Sequence, residues 1–386
     1  MKRLLFVIAG AALLPAVALA ASLPQPQAAT RGASYLASLQ QPGGGFGGGS
    51  IGADVDVIIA IRAAGYDPAR LAASDGTTAA EYVKAHAATA TKPADAAGIA
   101  LGAIAVGLDP ANIGGTDVTA AITSGFDAST GRYAADDFSQ SIAMLGLACT
   151  GGSVAPSAVA ALESAQVHAD GGWGFQGTSD PDTTAIAVQA LLANGVPTAD
   201  PAVTAAISYF KASQLPDGGW GYAPASNVNS TAYVVQALIA AGQDPVTYVK
   251  GGVDPVSYLL AQQRPDGSFP GVSGEIATEQ VVPALAGRTF CNAAATTITH
   301  QGTPPVANVT ATPPGSATGT ATTTPPATAT TLATGVPGRT QERTPAAPDT
   351  GSGAGSSSQP TGALVAALAL LTLGGGLAAA TIRRNH

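Results

Sequence analysis

Nine carboxylates and one amide in this chain could hold a proton or seat a cation, and all stand where an apolar helical run begins. They are Asp54 and Asp56, Asp95, Asp136 and Asp137, Asp180 and Asp182, Asn229, and Glu275 with Glu279. Such residues have an ordinary use at a helix start, where they accept from free N–H groups and meet the positive end of the dipole. Their other use would be a ring of acids around a shared mouth. The sharpest cluster is Asp180-Pro181-Asp182-Thr183-Thr184-Ala185, with two carboxylates two residues apart. Asp182 and Gln189 are seven apart, as are Asn229 and Gln236, so each pair shares a helix face. If that face looks inward, it offers a few polar groups in an apolar pocket, the usual make-up of a ligand site; if not, the same residues are satisfied between helices. His86, His168 and His300 show no ligand spacing, and no calcium-type loop is present, so no metal or cofactor is expected.

The elements that must position these residues are repeated. Residues 206–241 read as a helix ending at Gln214, a Pro216-Asp217-Gly218-Gly219-Trp220 turn, and a second helix from Ala232 to Ala241, stopped by Gly242. Asn229-Ser230-Thr231 supplies N-cap residues for that second helix. Tyr258-Leu259, Gln263, Asp266-Gly267 and Phe269 repeat the pattern. So do Leu162, Gln166, Asp170-Gly171-Gly172 and Trp173, and, without the Asp, Tyr35-Leu36, Gln40, Gly44-Gly45 and Phe46. Gln166, Gln214 and Gln263 are 48 and 49 apart, and Gln40 precedes Gln166 by 126, which is three periods of 42. Two degenerate copies fill that gap: Tyr82-Val83 with Ala94–Val106, and Phe126 with Gly131-Arg132-Tyr133 and Phe138–Cys149. Six helix pairs result. Gln and Trp are read as structural, an amide tying a helix end to the next turn and a large ring buried beside it.

An aromatic–aliphatic pair, three residues, Gln, a spacer and Gly-x-Trp/Phe resembles the repeat of squalene and oxidosqualene cyclases, with degenerate forms in protein prenyltransferase β subunits. The resemblance implies an all-α fold, an (α/α)6 toroid over residues 21–300, with inner-helix N-termini around the mouth of a cavity. Asp180-Pro181-Asp182-Thr183-Thr184-Ala185 resembles the Asp-x-Asp-Asp-Thr-Ala motif of squalene–hopene cyclases. There the middle Asp, matched by Asp182, protonates an alkene. Asp180 matches the first Asp, and Thr183 replaces the third. The inner helices offer mainly Phe138 and Tyr233 as aromatic faces for a carbocation. The zinc-binding Asp-x-Cys pair of prenyltransferases and the Gly-Cys-Gly-Glu-Gln motif of complement thioester domains are both absent from the sequence. Transcobalamin and intrinsic factor are similar in using a toroid without catalysis, with a β domain that covers the ligand. The leading expectation is a non-catalytic toroid binding a small hydrophobic or mixed-polarity ligand, or an extracellular protein, through Asp54, Asp56, Asp137, Asp182, Gln189, Asn229, Tyr233 and Gln236. The alternatives are a terpene-cyclase-like enzyme with Asp182 as proton donor and a purely adhesive module.

Of the 386 residues 46% are hydrophobic and 10% charged, and the net charge is −8 with sixteen scattered Lys and Arg, so no nucleic-acid partner is expected. Cys149 and Cys291 are too few for a disulfide framework, and either a single pair or two buried thiols fits. Residues 1–20, with Lys2-Arg3, an apolar run and Ala18-Leu19-Ala20, read as a secretory signal. Residues 301–361 are rich in Thr, Pro, Ala, Gly and Ser, the composition of a disordered stalk. Residues 363–382 are uncharged and long enough to span a bilayer, and Arg383-Arg384 in the 383–386 tail belong on the cytoplasmic side. Ala347-Pro348-Asp349-Thr350-Gly351 resembles a sortase signal with Ala in place of the leading Leu. The expected location is therefore the outer face of the cell membrane, anchored by the C-terminal helix, with cell-wall attachment as the alternative. N-terminal sequencing of the mature protein should begin at Ala21; a start at Met1 would contradict export through this leader.

Overall fold

The structure, a computed structural model, describes residues 22–47, 50–222, 224–271, 273–300 and 302–305. The leader, the apolar segment 363–382, the tail and nearly all of the Thr/Pro stretch lie outside the described residues. Among the described residues no helix is long and apolar enough to cross a membrane.

The described chain is mainly helical. Six helices, α2 (Ile51–Ala63), α4 (Pro93–Ala105), α6 (Asp137–Cys149), α8 (Pro181–Ala193), α10 (Val228–Ala240) and α12 (Gly274–Leu285), alternate with α1 (Pro26–Ser38), α3 (Ala79–His86), α5 (Val118–Ser124), α7 (Pro156–Ser164), α9 (Pro201–Ser213) and α11 (Pro255–Gln262). Each of the first six packs on the next, and α12 packs on α2 and α1, so an inner ring of six closes. The inner helices are apolar nearly all round; α8 and α10 bury almost every residue. That is the pattern of helices covered on every side, not of surface helices with one dry stripe. Gly146 lets α6 approach α4, since a Cβ there would stand 2.3 Å from the Ala97 Cβ.

The repeated Gln performs one task throughout. Gln214 Nε2 donates to the Gly218 carbonyl of its own turn (2.9 Å) and to the Tyr248 carbonyl of the next repeat (2.7 Å). Gln166 does the same to Gly171 (2.7 Å) and Ala202 (2.8 Å). Gln263 reaches Gly267 (3.1 Å) and Ala28 at the start of the ring (2.9 Å). Gln40 reaches Gly44 (3.2 Å) and Leu71 (3.4 Å). The aromatic that follows is fully buried, and Trp173 and Trp220 each give the indole N–H to a carbonyl of the preceding helix, Leu162 (2.7 Å) and Phe210 (2.8 Å). Gly218 sits at φ 85°, where a Cβ would press to 2.6 Å from the Val253 carbonyl, so this turn needs its glycine twice over. After Trp173 the turn widens into a short antiparallel hairpin, β1 (Trp173–Phe175) with β2 (Thr178–Asp180).

Two features differ from the sequence reading. The N-cap of α10 is Asn227, whose side chain accepts from Ser230 N–H at 2.8 Å, because an isolated bridge from Trp220 delivers Asn227 to that point; Asn229 lies inside the helix. Beyond α12 the chain does not leave the ring. It forms α13 (Phe290–Ala294), which packs on α2, α4 and α6, and then runs past α2. Arg62 Nε donates to the Thr296 carbonyl (2.5 Å), Thr299 and His300 both donate to the Gly65 carbonyl (2.9 and 3.1 Å), and His300 stacks on Tyr66 with centroids 4.4 Å apart. Cys149, the last residue of α6, is joined to Cys291 by a disulfide between Cα atoms 5.1 Å apart.

Replacing Gln214 by the similarly sized Leu strands two buried carbonyls. The expected loss is about 2–4 kcal/mol in urea unfolding; a change below about 0.5 kcal/mol, the usual surface range, would show that the amide does not hold the ring.

Candidate functional site

Inner-helix starts are where the acids gather, and their hydrogen bonds divide them into two groups. The first group is structural. Asp136 and Asp180 cap α6 and α8, accepting from Ser139 N–H (2.7 Å) and Thr183 N–H (2.8 Å); Asp180 also accepts from the Thr183 hydroxyl (2.9 Å). Asp54 accepts from Phe46 N–H at 2.5 Å and from the Tyr82 hydroxyl. This is the task that Thr184, Thr231 and Thr278 perform for Trp173, Trp220 and Phe269 at 2.9, 3.0 and 3.0 Å. Asp137 pairs with Arg132, although burial still holds its carboxyl above the usual range. Asn229 donates to Gln280 Oε1 (2.6 Å) and Gln236 to the Gln280 carbonyl (3.3 Å), so this face is knitted to α12. Asp54, Asp137, Asp180, Asn229 and Gln236 therefore have their polar atoms engaged by the fold, which leaves little of them for a ligand.

The second group is unpaired. Asp182 is 3% exposed; the Tyr222 hydroxyl donates to its Oδ2 at a long 3.5 Å, and Oδ1 has no partner. Burial, then the neighbouring Asp180 charge, pushes it up to about 7. Glu279 is 4% exposed with Oε2 unpartnered, and burial followed by the charges of Asp56, Glu275 and Asp54 holds it well above an ordinary carboxyl. Glu275, with Oε1 unpartnered, and Asp56 are both pushed up to about 7, by burial first in each case. Asp95 Oδ2 is unpartnered as well, and burial raises its carboxyl.

Inside the ring, Phe290 of α13 separates two small clefts that share Asp56. One, about 50 Å³, runs from Gly52, Asp95 and Ser139 at the helix starts down past Phe138 and Ile142. The other, about 20 Å³, lies among Ile59, Tyr233, Glu279 and Pro283. Phe290 N–H donates to Gln189 Oε1 (2.9 Å), which ties α13 to α8 and leaves Gln189 Nε2 without a partner. Tyr233 and Phe138 meet edge to face at 6.2 Å. Phe290 thus occupies part of the interior that the sequence reading leaves for a cavity. Among the sequence candidates, Asp56 and Tyr233 line these clefts, while Asp182 and Gln189 each keep one buried polar atom without a partner. Phe290 and Pro283 were not among the sequence candidates, and Glu279 was read only as one of the ring of acids. The proline inside the apolar run 274–285 was the visible signal.

No set of three or more His, Cys, Asp or Glu among the described residues could hold a metal ion. What the arrangement offers is hydrogen-bond acceptors and protons held near neutrality. That has a cost in stability. Folded Asp182 keeps its proton to about pH 7, whereas the unfolded chain loses it near pH 4, so ionisation above that point favours unfolding, by up to on the order of 4 kcal/mol at high pH for this group. The thermal midpoint should fall as pH rises from about 5 to about 8, and Asp182→Asn should shorten that fall. A midpoint that climbs over this range would show these acids to be ionised in the fold.

Residues 140–275 match the family model described as the squalene-hopene cyclase C-terminal domain. No curated protein matches the chain. Among solved structures the fold is similar to the type II terpene cyclase MstE from Scytonema, at 15% identity, 68% of this chain, 87% of that chain and a TM-score of 0.43. It is also similar to ent-copalyl diphosphate synthase from Streptomyces platensis, at 16% identity, 69% of this chain, 50% of that one and a TM-score of 0.41. Haptocorrin in complex with Cbi matches at 15% identity, over 70% of this chain and 68% of that one, with a TM-score of 0.44. Residues 140–275, which carry three of the Gln-and-aromatic repeats, are thus similar to the squalene-hopene cyclase C-terminal domain.

Proposed function

We propose that the ring is a ligand-binding module and not a cyclase. The observation that carries this reading is Phe290 of α13, which stands inside the ring with its N–H on Gln189. It lines two clefts of about 50 and 20 Å³, each sized for a small group, whereas a site for a drug-sized ligand takes on the order of 300–1,000 Å³. The acid chemistry supports it independently. Protonating an alkene takes an acid stronger than an ordinary carboxyl, and burial makes Asp182 weaker, up to about 7. Asp180, the carboxyl beside it, is spent on capping Thr183. On sequence grounds we further propose that the leader exports the ring and that residues 301–361 and 363–382 tether it to the outer face of the membrane.

The rival reading, a terpene-cyclase-like enzyme, has one observation in its favour: Asp182 Oδ1 has no partner. The two separate in one experiment. The full chain, purified in detergent, is incubated with squalene and shorter polyprenes, and products are followed by mass spectrometry. No cyclised product is expected. Turnover that disappears in Asp182→Asn would overturn the binding reading. Untargeted mass spectrometry of the same purified chain is expected to find a small molecule released on denaturation.

A further inference from the structure

We propose that the deep cleft of the ring is a site for a primary alkylammonium group, held by the carboxylates of Glu279 and Asp56 against the ring of Tyr233. This rests on the reading of the ring as a ligand-binding module and names the class of ligand.

The ionisable groups of this cleft are two acids and a tyrosine, and the donors beside the acids, on Tyr233, Gln236 and Gln280, make no hydrogen bond to either. Glu279 is 4% exposed, lines the cleft, and keeps Oε2 unpartnered. Pro283 stands four residues later inside α12 and has no N–H, so the Glu279 carbonyl lacks the donor that a helix normally supplies. Asp56 lines the same cleft and makes no side-chain hydrogen bond among the described residues. No Lys, Arg or His lines either cleft. Packing between helices does not explain the cluster, because the neighbouring polar residues Asn229 and Gln236 are both satisfied by Gln280, while Glu279 is not. Buried acceptors without donors ask for a partner that brings N–H groups and positive charge together.

Size and shape narrow the class. The cleft measures about 20 Å³, room for a group the size of a water molecule, and –NH3⁺ is that size. A quaternary ammonium is too wide. Tyr233, 3% exposed, and Phe290 add aromatic faces that favour a cation over a neutral polar head. The adjoining cleft shares Asp56 and has Phe138 and Ile142 on its walls, so a thin aliphatic tail that passes beside Phe290 meets apolar surface there.

The test is isothermal calorimetry on the purified full chain with n-butylamine, n-butanol and tetramethylammonium. Saturable binding of n-butylamine is expected, about tenfold or more tighter than the other two. Glu279→Gln keeps the size and removes the charge, and should weaken the amine by about tenfold while leaving the thermal midpoint of the unliganded chain unchanged or higher. Should that variant fail to fold, Asp56→Asn is expected to give a similar loss. Equal binding of amine and alcohol, amine binding unaltered in the variant that folds, or no saturable binding of the amine would each overturn the proposal. If the amine does not bind yet a different molecule is released from the purified chain, the ammonium site falls and the binding-module reading stands. Cyclase turnover dependent on Asp182 would remove both.

Discussion

A side-chain amide shared between neighbouring repeats holds the ring together. In four of the six repeats one Nε2 group bonds a carbonyl of its own turn and a carbonyl of the next repeat, so those helix pairs are fixed to their successors. Because Gln263 reaches back to Ala28, the same contact joins the last pair to the first. The indole or phenyl ring beside each amide keeps water from competing for those carbonyls. Everything the inner helices present to one another follows from this spacing. Six near-apolar helices stand in a circle, and any carboxyl inside it has few partners to choose from.

Much of this was legible in the sequence. The Gln and aromatic spacing locates the strong repeats, because three consecutive copies keep the same residues for the same bonds. The third copy was legible only as helices. It lacks the outer Gln, and its amide comes from the opposite side: Gln140 on α6 accepts from Tyr133 N–H at 2.7 Å and donates to the Ala158 carbonyl at 3.4 Å. A linear pattern search does not find a substitution that preserves a bond by moving its donor to another helix. Asp54 misleads for a related reason. It reads as a free acid at a helix start, yet it holds the Phe46 N–H where the last three repeats use a threonine hydroxyl.

The strap from 286 to 305 was the larger omission. It has no repeat and its only helix is five residues long, so no period marks it. What places it is tertiary: one disulfide, the Arg62 guanidinium and a histidine stacked on Tyr66. The division of the acids was equally invisible, since Asp180 and Asp182 look alike on paper. Only the helix geometry sends one toward the free N–H groups and leaves the other buried with an oxygen unpartnered.

The disulfide also decides how the fold would bear tension. A ring built from a linear chain has one noncovalent seam, here where α12 meets α1 and α2. A pull on residues beyond 305 would peel that seam if the chain left directly from α12. Instead the strap crosses the ring, is bonded at Gly65 and is covalently fastened to the end of α6. A load from the C-terminal side would therefore meet the end of α2 first and then the disulfide on α6, and it would reach the end of α12 only behind that covalent stop.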